Sequence, residues 1–252
     1  LDRLHIVTAT NDRYIKHLAV MLNSLLENKK SRNPVDIYVI DGNISDQNKA
    51  KLRRSVKRFN VPIKYLAVND SMFNDFKLNY NISKETYYRI LIPNLLDREI
   101  NKALYLDCDM IIKDDITKLW DTTLVHKFVA AVKIPGSIRA RELGLPGNAD
   151  YFNAGVLLLN LKKWRENNIV FRLLRFCRNN PDKLKFMDQD ALNAILHDKW
   201  RKLEPTWNYQ VHRYRGLRNP AIIHFTTNRK PWNSNPPFKD EYMKYLRRTP
   251  WD

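Results

Sequence analysis

Short apolar runs alternate along this chain with stretches whose apolar residues return every three or four positions. Leu4 to Ala9 is the first run and reads as a strand. Behind it Leu18, Met21, Leu22, Leu25 and Leu26 recur at helical spacing, which predicts a helix packed on that strand. Val35 to Ile40 is a second run. Ser45 can cap a basic helix whose apolar face carries Leu52, Val56 and Phe59. Pro62 to Val68 reads as a third strand. Strand and helix in strict alternation predict a parallel sheet joined by crossover helices, an α/β fold.

The later elements are read the same way. Ser83 can cap a helix carrying Tyr87, Arg89, Ile90 and Leu91. The stretch ALYLDCDMIIKDD, residues 103–115, reads as a fourth strand, Phe128 to Val132 as a fifth, and Tyr151 to Leu161 as a long central strand. Helices are expected over 163–178 and 188–197, a short strand over Ala221–Phe225 and a last helix near 239–247. No internal repeat, low-complexity segment or clean linker is visible. The expectation is a single domain over 1–252, with residues 1–210 as its core and 211–252 as an appended C-terminal segment.

Composition narrows the picture. A length of 252 residues with 44% hydrophobic content suits a packed core, and only six glycines argue against a linker or a fibrous repeat. The formal charge of +17 would attract nucleic acid, anionic lipid or a phosphorylated substrate. The basic clusters Lys49–Arg58, Arg172–Arg178 and Arg213–Arg218 are spread along the chain, and the first two read as solvated helix faces. No nucleic-acid reader module is recognisable, so no nucleic acid is expected as partner. Two cysteines, Cys108 and Cys177, form neither a disulfide framework nor a zinc pattern. A reducing, cytoplasmic setting is the expectation, with no membrane-spanning segment and no secretory leader visible.

Four places carry candidate chemistry. Asp107 and Asp109 stand two residues apart at the end of an apolar strand, where parallel sheets bind their ligands. Side chains two apart on a strand share a side, so the pair can converge, and two close carboxylates repel unless a cation lies between them. Hard oxygen ligands suit Mg²⁺ or Mn²⁺. On spacing alone a loop with two exposed aspartates is the better reading; the apolar run before the pair shifts it. His224 ends a second apolar run, and Lys230, Pro231 and Trp232 follow it; imidazole suits Mn²⁺ and a lysine suits a diphosphate. Alone, these read as a half-buried histidine and a surface lysine. Asn153 offers a donor and an acceptor, while Ala154 and Gly155 leave room for a ligand; a core strand with a bulge fits as well. Asp188, Gln189 and Asp190 open an apolar helix, with Asp188 placed to be its N-cap.

Taken in order, IVTATNDRYIKHLAVMLNSLL, YYRILIP, KALYLDCDMII, YFNAGVLLLNLKKW, DQDALN and HFTTNRKPW resemble the motifs of the retaining glycosyltransferases of family 8, which include bacterial lipopolysaccharide galactosyl- and glucosyltransferases and glycogenin-like enzymes. The resemblance implies a GT-A nucleotide-sugar-binding fold and Mn²⁺-dependent transfer of galactose or glucose from a UDP-sugar with retention. It implies that Asp107, Asp109 and His224 hold the metal and that Lys230 contacts the diphosphate. Ala9, Asn11 and Tyr14 match the loop that cradles uracil and ribose. Arg89, Asn153, Gly155, Asp188 and Gln189 match positions around the donor sugar and phosphates. Gln189 is a poor nucleophile, which favours front-face attack over a covalent intermediate. Two positions depart from the pattern: Asn11 stands where an acidic residue is usual, and Thr227 where glycine is usual. The acceptor would be a glycan, a lipid-linked acceptor or a protein, and an anionic glycan or lipid would suit the charge. Family resemblance also implies a peripheral contact of Lys244, Arg247, Arg248 and Trp251 with the inner membrane face, although an ordinary amphipathic end helix reads equally well. A silent nucleotide-sugar- or glycan-binding protein with the same fold, a metal-dependent nucleotidyltransferase and, with less support, a basic nucleic-acid-binding protein are the alternatives.

Overall fold

A computed structural model describes residues 2–78, 83–214 and 216–251. Arg215, within the basic cluster Arg213–Arg218, lies outside the described residues. The strands are β1 (Leu4–Asn11), β2 (Val35–Gly42), β3 (Ile63–Leu66), β4 (Lys102–Leu106), β5 (Met110–Ile112), β6 (Val129–Ala131), β7 (Val156–Asn160), β8 (Trp200–Lys202), β9 (Tyr209–Gln210) and β10 (Ile222–His224). The main sheet runs β3-β2-β1-β4-β7-β6-β8. It is parallel across β3, β2, β1 and β4 and again between β6 and β8, while β7 runs antiparallel to both neighbours. A smaller sheet, β5-β10-β9, stands beside it.

The period of two decides the core. Val7, Tyr105 and Leu157 enter one apolar cluster, and their chain neighbours Ile6, Leu104 and Leu158 enter the other, on the opposite face of the sheet. Both faces are covered, which is why these strands read as continuous apolar runs. The helix Ile15–Asn28 carries Leu18, Met21, Leu22 and Leu25 onto the second cluster. Ser45 caps the helix Asp46–Val56 by accepting from the Asn48 amide at 3.3 Å.

Several expected elements take a different form. Residues 103–115 do not make one strand. The chain bends at Cys108 and Asp109, and β5 crosses to the smaller sheet, where Met110 pairs with His224. Continuing straight would have driven two carboxylates into an apolar layer, at a cost neither could recover. Residues 151–155 approach the sheet only through a bridge between Phe152 and Lys133, and the regular strand begins at Val156. The helix expected over 163–178 is two, Leu161–Glu166 and Ile169–Asn179, broken at Asn168 in the left-handed region (φ 51°). Ser83 precedes a 3₁₀ helix, Lys84–Leu91, and its side chain makes no cap bond. Asp188 is not an N-cap; Phe186 occupies that position before the helix Met187–Leu196.

The last helix, Lys239–Leu246, packs on Ile15–Asn28: Tyr242 hydroxyl lies 2.7 Å from His17 Nδ1, and Asn28 Nδ2 donates to the Tyr245 hydroxyl at 2.8 Å. Among the described residues no helix is long and apolar enough to cross a membrane.

Candidate active site

The ends of β1, β2 and β4 and the start of the antiparallel β7 lie along one edge of the main sheet. Register places Asn11 beside Gly42 and Leu106 beside Val156. Asp107 follows directly, its amide donating to Gly155 O at 2.9 Å. The smaller sheet brings β10 to the same point, where Phe225 N–H donates to Asp109 O at 3.1 Å. His224 Nε2 thereby stands 3.2 Å from Asp109 Oδ1 and 3.7 Å from Asp107 Oδ2. One ligand atom from each of the three lies within 4.8 Å of the others, a group that could hold a metal ion. The bend, rather than the pleat of one strand, makes the two carboxylates converge.

A chain of hydrogen bonds anchored on backbone amides fixes the histidine tautomer. Gly155 N–H donates to Asn153 Oδ1 at 2.9 Å, which identifies that atom as the oxygen. Asn208 Nδ2 donates to the same oxygen at 2.8 Å, so Asn208 Oδ1 is the atom 2.8 Å from His224 Nδ1. Nδ1 must then carry a proton, which leaves Nε2 as the nitrogen that faces the two carboxylates and can offer a lone pair to a cation. Nε2 and one oxygen from each carboxylate form a donor set that a divalent cation would complete; an imidazole whose other nitrogen donates to an amide oxygen is oriented as metal-ligating histidines are. Gly155 lies beneath this group, and a Cβ there would come within 2.3 Å of His224 Cε1 and 2.8 Å of Asp107 Oδ2.

The same amides orient Gln189. Its Oε1 accepts from Asn153 Nδ2 at 3.1 Å and from Ala154 N–H at 3.0 Å, and its Nε2 donates to the Tyr151 hydroxyl at 3.0 Å. Tyr151 donates in turn to Asp190 Oδ1 at 2.7 Å. Asp190 is fully buried and paired with Arg139 Nη2 at 2.8 Å, out of reach of any ligand.

Arg89 links Asp107 to Asp188. The residue is 6% exposed, and its guanidinium lies over the Tyr105 ring, pairs with Asp107 Oδ1 at 3.2 Å and has Nε 2.8 Å from Asp188 Oδ2. That N–H, however, donates to Thr86 O at 3.0 Å. Thr86 Oγ1 donates to Asp188 Oδ1 at 2.8 Å, and Oδ2 is left without a hydrogen-bond partner among the described residues. Burial pushes the Asp188 carboxyl up to about 6, with Arg89 offsetting only part of the effect. Asp109 goes the other way. Its burial would raise it, but the Lys230 ammonium beside it holds it well below the usual carboxylate range.

Lys230 Nζ donates to Asp109 Oδ2 and to the Phe225 carbonyl. Trp232, two residues on, stacks on His17 with ring centroids 3.5 Å apart, and Tyr14 meets both rings edge-on. Burial lowers His17 to about 3, so this ring stays neutral in its aromatic stack. Ala9 O accepts from Cys108 Sγ at 3.3 Å. Asn11 Oδ1 is already engaged: the amides of Arg13 and Tyr14 both donate to it at 3.1 Å. Thr227 Oγ1 caps its own turn, accepting from Arg229 N–H at 3.2 Å.

The structure thus brings Asp107, Asp109, His224, Lys230, Arg89, Asp188, Asn153, Gly155 and Gln189 into one connected group, with Ala9, Asn11 and Tyr14 at its β1 side. Gly155 serves by having no side chain, and Arg89 lies beneath the surface between two carboxylates. The residues not foreseen are those that orient others: Asn208 behind His224, Tyr105 donating to Asp107 Oδ1 at 2.8 Å, and Thr86 behind Asp188. Tyr151 and Trp232 stood inside motifs already singled out; Asn208, in TWNYQ, carried no pattern of its own.

Similarity to known proteins agrees with this geometry. Residues 5–236 match the family model described as glycosyl transferase family 8. General stress protein A of Bacillus subtilis (strain 168) is 39% identical, over 99% of this chain and 95% of that protein. The lipopolysaccharide 1,2-glucosyltransferase of Escherichia coli (strain K12) is 23% identical, over 98% of this chain and 79% of that protein. The crystal structure of the galactosyltransferase LgtC in complex with donor and acceptor sugar analogues superposes with a TM-score of 0.88 at 26% identity, covering 98% of this chain and 96% of that one. With its GT-A architecture and a match running through nearly the whole sequence, the chain belongs to glycosyltransferase family 8.

Proposed function

We propose that this protein is a retaining hexosyltransferase that takes galactose or glucose from UDP-galactose or UDP-glucose in the presence of Mn²⁺ or Mg²⁺. The observation that carries the reading is the His224 tautomer. A ring held by Asn208 so that Nε2 faces two carboxylates is built for a divalent cation, and the two oxygens and one nitrogen of that set suit Mn²⁺. When bound, the cation supplies Lewis-acid stabilisation to the diphosphate.

The chain's own residues supply the rest. Asp107, Asp109 and His224 hold the cation. Lys230 exchanges its contact with Asp109 for the leaving diphosphate and neutralises charge there. Asp188 accepts from a sugar hydroxyl through Oδ2, which is ion-paired with Arg89 but accepts no hydrogen bond among the described residues. Gln189 Oε1, fixed by Asn153 and Ala154, turns the negative end of its dipole toward the anomeric carbon. An amide oxygen is a poor nucleophile, and the buried pairing of Asp190 with Arg139 withdraws the nearest carboxylate. Both support front-face attack. The acceptor hydroxyl oxygen bonds to the anomeric carbon as the bond to UDP breaks on the same face, and its proton passes to the departing phosphate.

The acceptor is a glycan or a lipid-linked glycan reached over residues 134–150, and the net charge of +17 favours an anionic one. Lys244, Arg247 and Trp251 support a peripheral contact with an anionic cytoplasmic membrane face; Arg248 is held by Glu27. His224 and Lys230 come from the C-terminal segment, which supports reading 1–252 as one domain.

The test is release of UDP from a panel of UDP-sugars, with Mn²⁺ and with chelator, beside Asp109→Asn. Metal-dependent turnover of one hexose donor, lost in the variant, is the expected result. Absence of both turnover and metal-dependent UDP binding would replace this reading with a silent binding protein.

A further inference from the structure

Beside the carboxylate pair, at the ends of β1 and β2, the side chain of Glu85 leans over the sheet edge from the 3₁₀ helix Lys84–Leu91. Gly42, the last residue of β2, makes room for it. A Cβ on Gly42 would lie 2.5 Å from Glu85 Cγ and 2.8 Å from its Oε1. Glu85 Oε2 is buried without a hydrogen-bond partner, and among the described residues no cation pairs with this carboxylate. A buried carboxyl oxygen without a partner is costly and persists in a fold mainly where function uses it.

Its neighbours are all engaged. Asp41 Oδ1 accepts from Ile44 N–H at 2.7 Å and Oδ2 pairs with Lys49 at 2.6 Å. Asp12 Oδ1 accepts from Ser45 and Asn48. Asn11 Oδ1 is filled by two backbone amides. Among the described residues Glu85 Oε2 is therefore a buried carboxyl oxygen at this edge that accepts no hydrogen bond.

Its place in the sheet indicates the missing donor. In the order β2-β1-β4 the metal-facing Asp107 ends β4, and Gly42 ends β2, two strand spacings or about 10 Å away. A nucleotide whose diphosphate lies at the end of β4 extends its nucleoside across β1 toward β2. In doubly wound folds a carboxylate near the end of the second strand binds the ribose hydroxyls. We propose that Glu85 is a specificity-determining residue that accepts hydrogen bonds from the ribose hydroxyls of the donor nucleotide, a role for which neither Asp41 nor Asn11 has a free oxygen. The inference rests on the donor being a UDP-sugar.

The test is calorimetric titration of wild type, Glu85→Ala and Glu85→Gln with UDP, 2′,3′-dideoxy-UDP and N3-methyl-UDP in the presence of Mn²⁺. The wild type should bind UDP about ten- to a hundredfold more tightly than the dideoxy analogue, the worth of a hydrogen bond to a charged group. In Glu85→Ala that preference should disappear through loss of UDP affinity alone, with Glu85→Gln between the two and all three folds matching by circular dichroism. If the wild type binds no UDP, the donor assignment fails and this inference with it. Unchanged preference in Glu85→Ala overturns the inference alone. A loss in Glu85→Ala that vanishes with N3-methyl-UDP and survives with the dideoxy analogue would move Glu85 to the base, and the ribose assignment would be wrong.

Discussion

Gly155→Ala adds one methyl group directly beneath the candidate metal ligands. Its carbon would stand 2.3 Å from His224 Cε1, 2.8 Å from Asp107 Oδ2 and 2.9 Å from His224 Nδ1. Ordinary carbon contacts begin near 3.5 Å, so the ring or the backbone must yield by about 1 Å. The ring has nowhere to go at low cost: Asn208 holds Nδ1 at 2.8 Å, and the ring is 3% exposed. Overpacking of this kind costs about 1–3 kcal/mol of stability. The larger effect falls on the site, where disturbing what orients a metal ligand costs about ten- to a hundredfold in metal affinity. Titration of Mn²⁺ followed by electron paramagnetic resonance, with UDP present, reads that affinity; circular dichroism and thermal unfolding separate it from loss of fold. The expected result is a folded protein with a Mn²⁺ Kd raised at least tenfold. A folded Gly155→Ala that binds Mn²⁺ as the wild type does would refute the account of His224 as a ligand seated on Gly155.

Three further outcomes follow from the same geometry. Asn208→Leu removes the acceptor that fixes the His224 tautomer, so Mn²⁺ affinity should fall about ten- to a hundredfold, again read by paramagnetic resonance; an unchanged affinity would show that the amide network does not orient the ring. Asp188 is raised by burial from 3.8 to about 6, so it gains its proton as pH falls through 6 and can no longer accept from a donor sugar hydroxyl. The raised value favours the folded state below pH 3.8, and that contribution is lost as pH climbs through 6. The kcat/KM profile should therefore have an acidic limb near pH 6, and Asp188→Asn should remove the limb while lowering the plateau. Arg139→Met leaves the Asp190 charge buried with, among the described residues, only Tyr151 and the Phe186 amide as partners, a loss of about 3–5 kcal/mol. For a chain of this size that is a fall in Tm of about 6–20 °C in a thermal melt; a shift under 2 °C (about 0.5–1 kcal/mol) would show that the pair contributes little.

Much of the main sheet was decided by local pattern. Residues such as Val7 and Ile6 send their side chains to opposite faces because a strand alternates with period two, and apolar runs bounded by polar turns report that directly. The helix Ile15–Asn28 and the Ser45 cap were equally legible, since both depend on contacts within a few residues. Asp107, Asp109 and His224, which the fold brings together as a candidate metal group, could be singled out because each sits in a recognisable motif. What the pattern could not show is where a run stops obeying its own period. Residues 103–115 are apolar enough for one strand, yet the chain bends at Cys108 and Asp109, because β10 arrives from more than a hundred residues away to pair with β5. Helix 163–178 breaks at Asn168, a left-handed residue that periodicity does not mark. Asp188 looked like a cap until Arg89 and Thr86, a hundred residues earlier, offered it stronger partners. Asn208 could not be found at all. Its work is to orient His224 Nδ1 through an oxygen whose own direction is set by Asn153 and the Gly155 amide, and those partners meet only after two sheets have packed edge to edge. The sequence by itself determined which segments alternate and which residues can bind a cation. Tertiary structure alone decided how those residues are aimed, because hydrogen-bond direction and close approach belong to pairs of atoms distant along the chain.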